Sequence, residues 1–167
     1  MKNQPSVLAI MAHPDDAELK CFGTLCKYAD SGYKCILLIA CSGENGISLI
    51  DREKFNINRI PKNVRFNETE RAFSGTGISI KFLELEDGSA KFGRDLIVAI
   101  EKEIRKISPE IIITHYVDYI GADHQDHSEV GKSVINCVTR LSFIKKVMLC
   151  EPLMTLRANL FLIVLLI

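Results

Sequence analysis

A chain of 167 residues, 47% apolar and 25% charged, has enough apolar material for one sizeable core and is too apolar for a disordered segment. Its 21 basic and 21 acidic side chains cancel, so it lacks the basic footprint of a nucleic-acid binder. The opening Met1-Lys2-Asn3-Gln4-Pro5 has no apolar signal region, which leads us to expect one cytoplasmic domain over 1–167, without membrane or nucleic-acid partners.

The predicted elements alternate. Ser6 to Ala12 is a short apolar run and reads as a buried strand. Ala17 to Ser31 reads as a helix, with Leu19, Phe22, Leu25, Cys26 and Ala29 at helical spacing and Gly32 as the stop. Lys34 to Cys41 is a second strand, followed by the loop Ser42-Gly43-Glu44-Asn45-Gly46 and an irregular polar stretch to Pro61. Lys62 to Phe73 is a helix closed by Gly75, and Ser79 to Leu85 a strand ended by an Asp87-Gly88 turn. Arg94 to Ile107 carries the clearest amphipathic stripe, through Leu96, Ile97, Ile100, Ile104 and Ile107, and Pro109 breaks it. Ile111 to Thr114 is a fourth strand, His115 to Asp126 a long loop, His127 to Leu141 a helix, and Lys146 to Cys150 a fifth strand. Continuous apolar strands separated by helices predict an α/β fold with a mostly parallel sheet covered on both faces.

The six cysteines, at 21, 26, 35, 41, 137 and 150, form no C-x-x-C, and most lie in apolar runs. They read as reduced, buried small hydrophobes of a cytosolic protein, not as a disulfide framework.

Ligands of parallel sheets bind beyond the carboxyl ends of the strands. Three polar clusters are expected on that edge: His13-Pro14-Asp15-Asp16, Ser42-Gly43-Glu44, and the loop from His115 to His127. His13, Asp16 and His127 supply two imidazoles and a carboxylate, the donor set of a catalytic zinc site with one position open, though iron(II) or another divalent ion would also suit it. Asp15 is then a spare carboxylate, suited to act as general base on the metal-bound water. His124 is placed to donate to the oxyanion or the leaving amine, with Asp126 fixing its tautomer. Glu44 is a candidate pocket wall and His115 a supporting residue. Either cluster alone reads as helix capping; both on one sheet edge favour a metal site.

These residues resemble the PIG-L/LmbE-like zinc-dependent N-acetylglucosaminyl deacetylases. The resemblance rests on Ala12-His13-Pro14-Asp15-Asp16, Gly23-Thr24-Leu25, Ser42-Gly43-Glu44, the helix pattern Arg65-x-x-Glu68-x-x-x-Ala72, and His124-x-Asp126-His127, in that order between about residues 6 and 155. It implies a Rossmann-like three-layer sandwich, His13, Asp16 and His127 as zinc ligands, Asp15 as base, His124 as acid, and Arg65 as a substrate-holding residue. The implied reaction removes acetyl from a small N-acetylated amino sugar or glycoside.

Three departures stand out. Ala17 replaces a Glu that often follows Asp-Asp, and Lys20-Cys21-Phe22 replaces a Gly-rich stretch. From Ala158 to Ile167 no charge appears, which suggests a truncated or frame-shifted end, or an apolar interface between copies in a homo-oligomer. A competing reading is therefore a metal-binding but catalytically impaired domain with an assembly or regulatory role. A nucleotide-binding module has only Gly75-Thr76-Gly77 in its support, without a third glycine in register.

Overall fold

The computed structural model describes residues 4–117 and 124–150. Five strands, β1 (Ser6–Met11), β2 (Lys34–Cys41), β3 (Ser79–Leu85), β4 (Ile111–His115) and β5 (Lys146–Cys150), form one sheet in the order β3-β2-β1-β4-β5. Every pairing is parallel. Six helices connect them: α1 (Asp16–Lys20), α2 (Phe22–Asp30), α3 (Leu49–Phe55), α4 (Lys62–Ala72), α5 (Arg94–Ile107) and α6 (Gln125–Val138). The expected α/β sandwich with a parallel sheet is what the chain forms. The apolar tail lies outside the described residues.

Alternation along the strands assigns each side chain to a layer. Leu8, Ile10, Ile36 and Leu38 point to one face and pack with Leu96, Ile100 and Ile104 of α5 and Val130 and Val134 of α6. Val7, Ala9, Met11, Leu37 and Ile39 point to the other and pack with Ala17, Cys21, Leu25 and Phe73. Each fully buried Leu or Ile contributes about 1.5–3 kcal/mol relative to leaving it in water. Two strand faces therefore supply most of the core, and the carboxyl edge is left to polar residues.

Three elements differ from the sequence reading. The helix expected over 17–31 is two helices, because Cys21 leaves helical geometry at φ −144, ψ 10. The hydrogen-bond ladder still crosses the break, from Cys21 N–H to Ala17 O and from Leu25 N–H to Cys21 O, both 2.9 Å. The apolar series Ala17, Cys21, Leu25 runs through it unchanged, so periodicity carries no sign of the interruption. The stretch read as irregular contains α3, capped where Ser48 Oγ accepts the Asp51 N–H at 3.1 Å and closed by Asn56 in the left-handed region. It buries no residue, hence shows no stripe to find. Finally, α6 starts at Gln125, which puts His127 in its first turn.

Candidate active site

Strand order reverses at β1, whose neighbours are β2 on one side and β4 on the other. The crevice beyond that point is where open α/β sheets place ligands. The chain following β1 delivers His13 to Asp16, β4 ends in His115, and α6 brings His124 to His127 to the same place.

His13, Asp16 and His127 are buried and present donor atoms within 4.8 Å of one another. His13 Nδ1 is 3.3 Å from His127 Nε2, which is 3.0 Å from Asp16 Oδ1. Asp16 Oδ2 is 3.7 Å from His13 Nδ1. Ligands about 2.0–2.1 Å from a tetrahedral ion stand roughly 3.3 Å apart, so these nitrogen and oxygen donors fit such an ion.

Asp16 does not cap α1. Its Oδ2 turns back to accept the His13 N–H at 2.8 Å, and the preceding residue, Asp15, makes no side-chain cap either. Burial opposes charge on Asp16, but His115, His127 and His13 hold it well below the usual carboxylate range. For His13, burial likewise disfavours the charge, and bonds to Asp126, Asp16 and Asp87 overcome it, raising its pKa to about 11.

Support comes from a set of residues packed behind the donors. His13 Nε2 faces Asp126 Oδ2 at 3.0 Å and Asp87 Oδ1 at 3.1 Å. Asp126 is fully buried and also accepts the N–H groups of Gly88 at 2.8 Å and Ala90 at 3.1 Å. Expected to fix the tautomer of His124, its carboxylate instead reaches His13, while its own N–H donates to His124 Nδ1 at 3.2 Å. His115 accepts the Ala12 N–H at Nε2 (2.9 Å) and stacks on His127 with centroids 4.2 Å apart. A Cβ on Gly131 would meet the His115 carbonyl oxygen at 2.7 Å, so α6 approaches β4 closely only because that residue is glycine.

A cavity of about 180 Å³ opens beside this cluster, lined by His13, Asp15, Gly43, Asn45, Gly46, Arg65, Asp87 and His124. Asp15 sits at φ 100, ψ −27, with a side chain 58% exposed. Burial raises its pKa, the neighbouring Asp16 charge adds to that, and Arg65 acts against both. Arg65 Nη2 donates to Asp15 Oδ2 at 2.9 Å and to the Pro14 carbonyl at 2.8 Å, and its buried Nε has no partner. His124 caps α6, and burial followed by the His13 charge lowers its pKa.

Among the residues singled out in sequence, Glu44 is not brought to the cavity. It is buried and bonded to Ser42 Oγ, while its neighbours Gly43 and Asn45 line the space. Asp87, read only as part of a turn, reaches both His13 and the cavity. Its position after β3, on the same sheet edge as the other clusters, was the available signal.

Residues 8–138 match the family described as PIG-L, GlcNAc-PI de-N-acetylase. The chain belongs to this family. It is 26% identical over 144 residues to a probable N-acetyl-alpha-D-glucosaminyl L-malate deacetylase 2 of Bacillus anthracis, covering 84% of this chain and 62% of that protein. It is 25% identical over 123 residues to a 4-oxalmesaconate hydratase of Pseudomonas putida, covering 72% of this chain and 48% of the relative. Its fold is similar to that of the N,N'-diacetylchitobiose deacetylase of Pyrococcus horikoshii, with a TM-score of 0.75 at 20% identity over 91% of this chain and 62% of the other. The chain thus spans less than two thirds of each of these proteins.

Proposed function

We propose that this chain carries the catalytic site of a zinc-dependent hydrolase that removes the acetyl group from an N-acetylglucosamine-type substrate. The observation behind this reading is the convergence of His13 Nδ1, Asp16 and His127 Nε2 beside a cavity rimmed by Asp15 and His124. Buried nitrogen and carboxylate donors with carboxylate-backed imidazoles suit zinc, and iron(II) is the runner-up. A bound ion would polarise the acyl oxygen and acidify a water.

The chain's own residues supply the remainder. Asp15, with its raised pKa, accepts the proton of the attacking water. Arg65 holds that carboxylate at the cavity rim and keeps its Nε donor for a substrate oxygen. His124 Nδ1 accepts a backbone N–H, so the neutral ring carries its proton on Nε2, a donor for the acyl oxygen or the departing amine. Asp126 and Asp87 hold the His13 ring from behind. Six free thiols suit a cytoplasmic setting. Among the described residues, no helix is long and apolar enough to cross a membrane.

The test is free-amine release from N-acetylglucosamine and simple N-acetylglucosaminides by zinc-loaded protein. Release abolished by chelation and restored by zinc supports the reading. The similarity to a hydratase supports a second one, addition of water to a conjugated unsaturated carboxylate, for which Asp15 and His124 would serve equally. Loss of the double-bond absorbance without amine release would select it. Stoichiometric zinc with neither activity would select a binding domain without turnover.

A further inference from the structure

Lys20 ends α1 and is half-buried, at the point where Cys21 interrupts the helix. Its ammonium lies 3.5 Å from His127 Nδ1 and 3.4 Å from His115 Nδ1. The two rings are stacked, with planes only 5° apart, so both present that nitrogen to one cation. On the opposite side of the His127 ring, Nε2 faces Asp16 at 3.0 Å and His13 at 3.3 Å. Lys20 and the donor cluster therefore occupy the two nitrogens of a single imidazole.

A metal-bound histidine normally donates its other N–H to a carboxylate, carbonyl or water, which orients the ring and raises its basicity. His13 has such support, from Asp126 and Asp87. An ammonium has three donors and no acceptor, so it cannot serve His127 in this way. It also adds a unit positive charge one ring away from the place a dication would take. Both effects disfavour the ion, and nothing in them requires Lys20 to touch substrate.

We propose that Lys20 is a positioning residue that lowers the divalent-cation affinity of the His13–Asp16–His127 cluster by facing the outer nitrogen of His127, making the ion readily exchangeable. The inference rests on the metal-dependent reading above. It concerns affinity and not whether the cluster binds.

The experiment is a competition for zinc between a chromophoric chelator and the metal-free protein, comparing wild type with Lys20→Met, Lys20→Gln and Lys20→Arg, each checked for a native thermal transition. Removing the charge in Lys20→Met is expected to tighten zinc binding on the order of tenfold, the effect of a unit charge one imidazole away from a dication at water-like dielectric. Lys20→Gln, whose amide oxygen can accept the His127 N–H, should bind at least as tightly as Lys20→Met. Lys20→Arg keeps charge and donors and should behave like wild type. A purely structural lysine would shift the melting temperature without this ordering of affinities. Wild type and Lys20→Met binding zinc equally, or the variant binding more weakly, overturns the inference and leaves the metal centre standing. If no protein in the series, wild type included, takes up zinc, the metal-dependent reading fails and the inference with it.

Discussion

The starts of α1 and α6 meet at the same cluster and are built in opposite ways. At α6, His124 takes an extended backbone (φ −68, ψ 137), its ring nitrogen accepts the Asp126 N–H, and the Asp126 carboxylate is filled by two backbone N–H groups and His13. At α1, Asp15 takes φ 100, and no side chain caps the helix. Asp16 then faces inward among the imidazoles, and Asp15 faces the cavity. One junction satisfies itself and forms a fixed back wall. The other accepts backbone strain, of order 1–3 kcal/mol for such a residue, so that adjacent carboxylates can face different ways. A site that needs one carboxylate as ligand and its neighbour as base has reason to keep that strain.

The most damaging change to this arrangement is at the α6 side. His127→Ala removes a donor with no spare imidazole on the same helix turn to replace it. Zinc content measured after gel filtration should fall from stoichiometric to near zero, with amine release lost; full zinc retention would remove His127 from the donor set. The α1 side should respond differently. Asp15→Asn keeps the backbone, since Asn tolerates the left-handed region, and should keep zinc while slowing turnover by about 10²–10⁴-fold, the usual worth of a positioned base. Asp15→Gly should be equally slow yet more stable by about 1 kcal/mol, because glycine relieves the positive φ. If Asp15→Gly melts below wild type, strain is not what distinguishes the two helix starts.

The strands and the clusters after β1 and before α6 were legible because their signals are local: apolar runs, and His and Asp packed within four residues. What stayed hidden depends on packing between distant segments. Asp87 joins His13 only because β3 and β1 end on one edge with β2 between them. Lys20 reaches His127 only because the helix stops at Cys21, within an apolar series that continues as if unbroken. The loop after β2 has no periodicity to tell which residue faces the cavity. There, Gly43 at φ 67, with its Cα side pressed against Pro14, and Asn45, bonded through its N–H to Asp87, line the space, and Glu44 turns to Ser42. In α3 the capping pair Ser48 and Asp51 was readable, but a helix that buries nothing offers no stripe.

A smaller effect should follow from the close approach of α6 to β4. In an exposed helix, Gly→Ala stabilises by about 1 kcal/mol. At Gly131 the added methyl would stand 2.7 Å from the His115 carbonyl oxygen and 3.1 Å from that of Tyr116. Backbone cannot swing aside as a side chain can, so Gly131→Ala should instead destabilise by about 1–3 kcal/mol in denaturant unfolding. It should also weaken zinc binding modestly, because α6 carries His127. A stabilised variant would mean that the helix sits farther from the strand than the structure places it.

The gentlest probe of the same back wall is pH, applied to metal-free protein. His13 has a folded pKa of about 11 against 6.5 for the free side chain, because Asp126, Asp16 and Asp87 outweigh its burial. A base whose pKa is raised by folding contributes stability that is complete below the unfolded value and is lost as pH rises through 6.5 toward 11. His115 runs the other way: burial lowers it to about 4, so its contribution is present above 6.5 and disappears as pH falls from there. Metal-free protein should therefore melt at progressively lower temperature from about pH 7 to 10, and His13→Asn should flatten that limb while leaving the acid limb unchanged. Thiols and lysines that titrate in the same range are common to both proteins, so the difference between the two curves isolates His13. Parallel alkaline limbs would show that the carboxylates behind His13 do not hold a proton on it, and that the wall built from α6 is less polar in effect than its geometry implies.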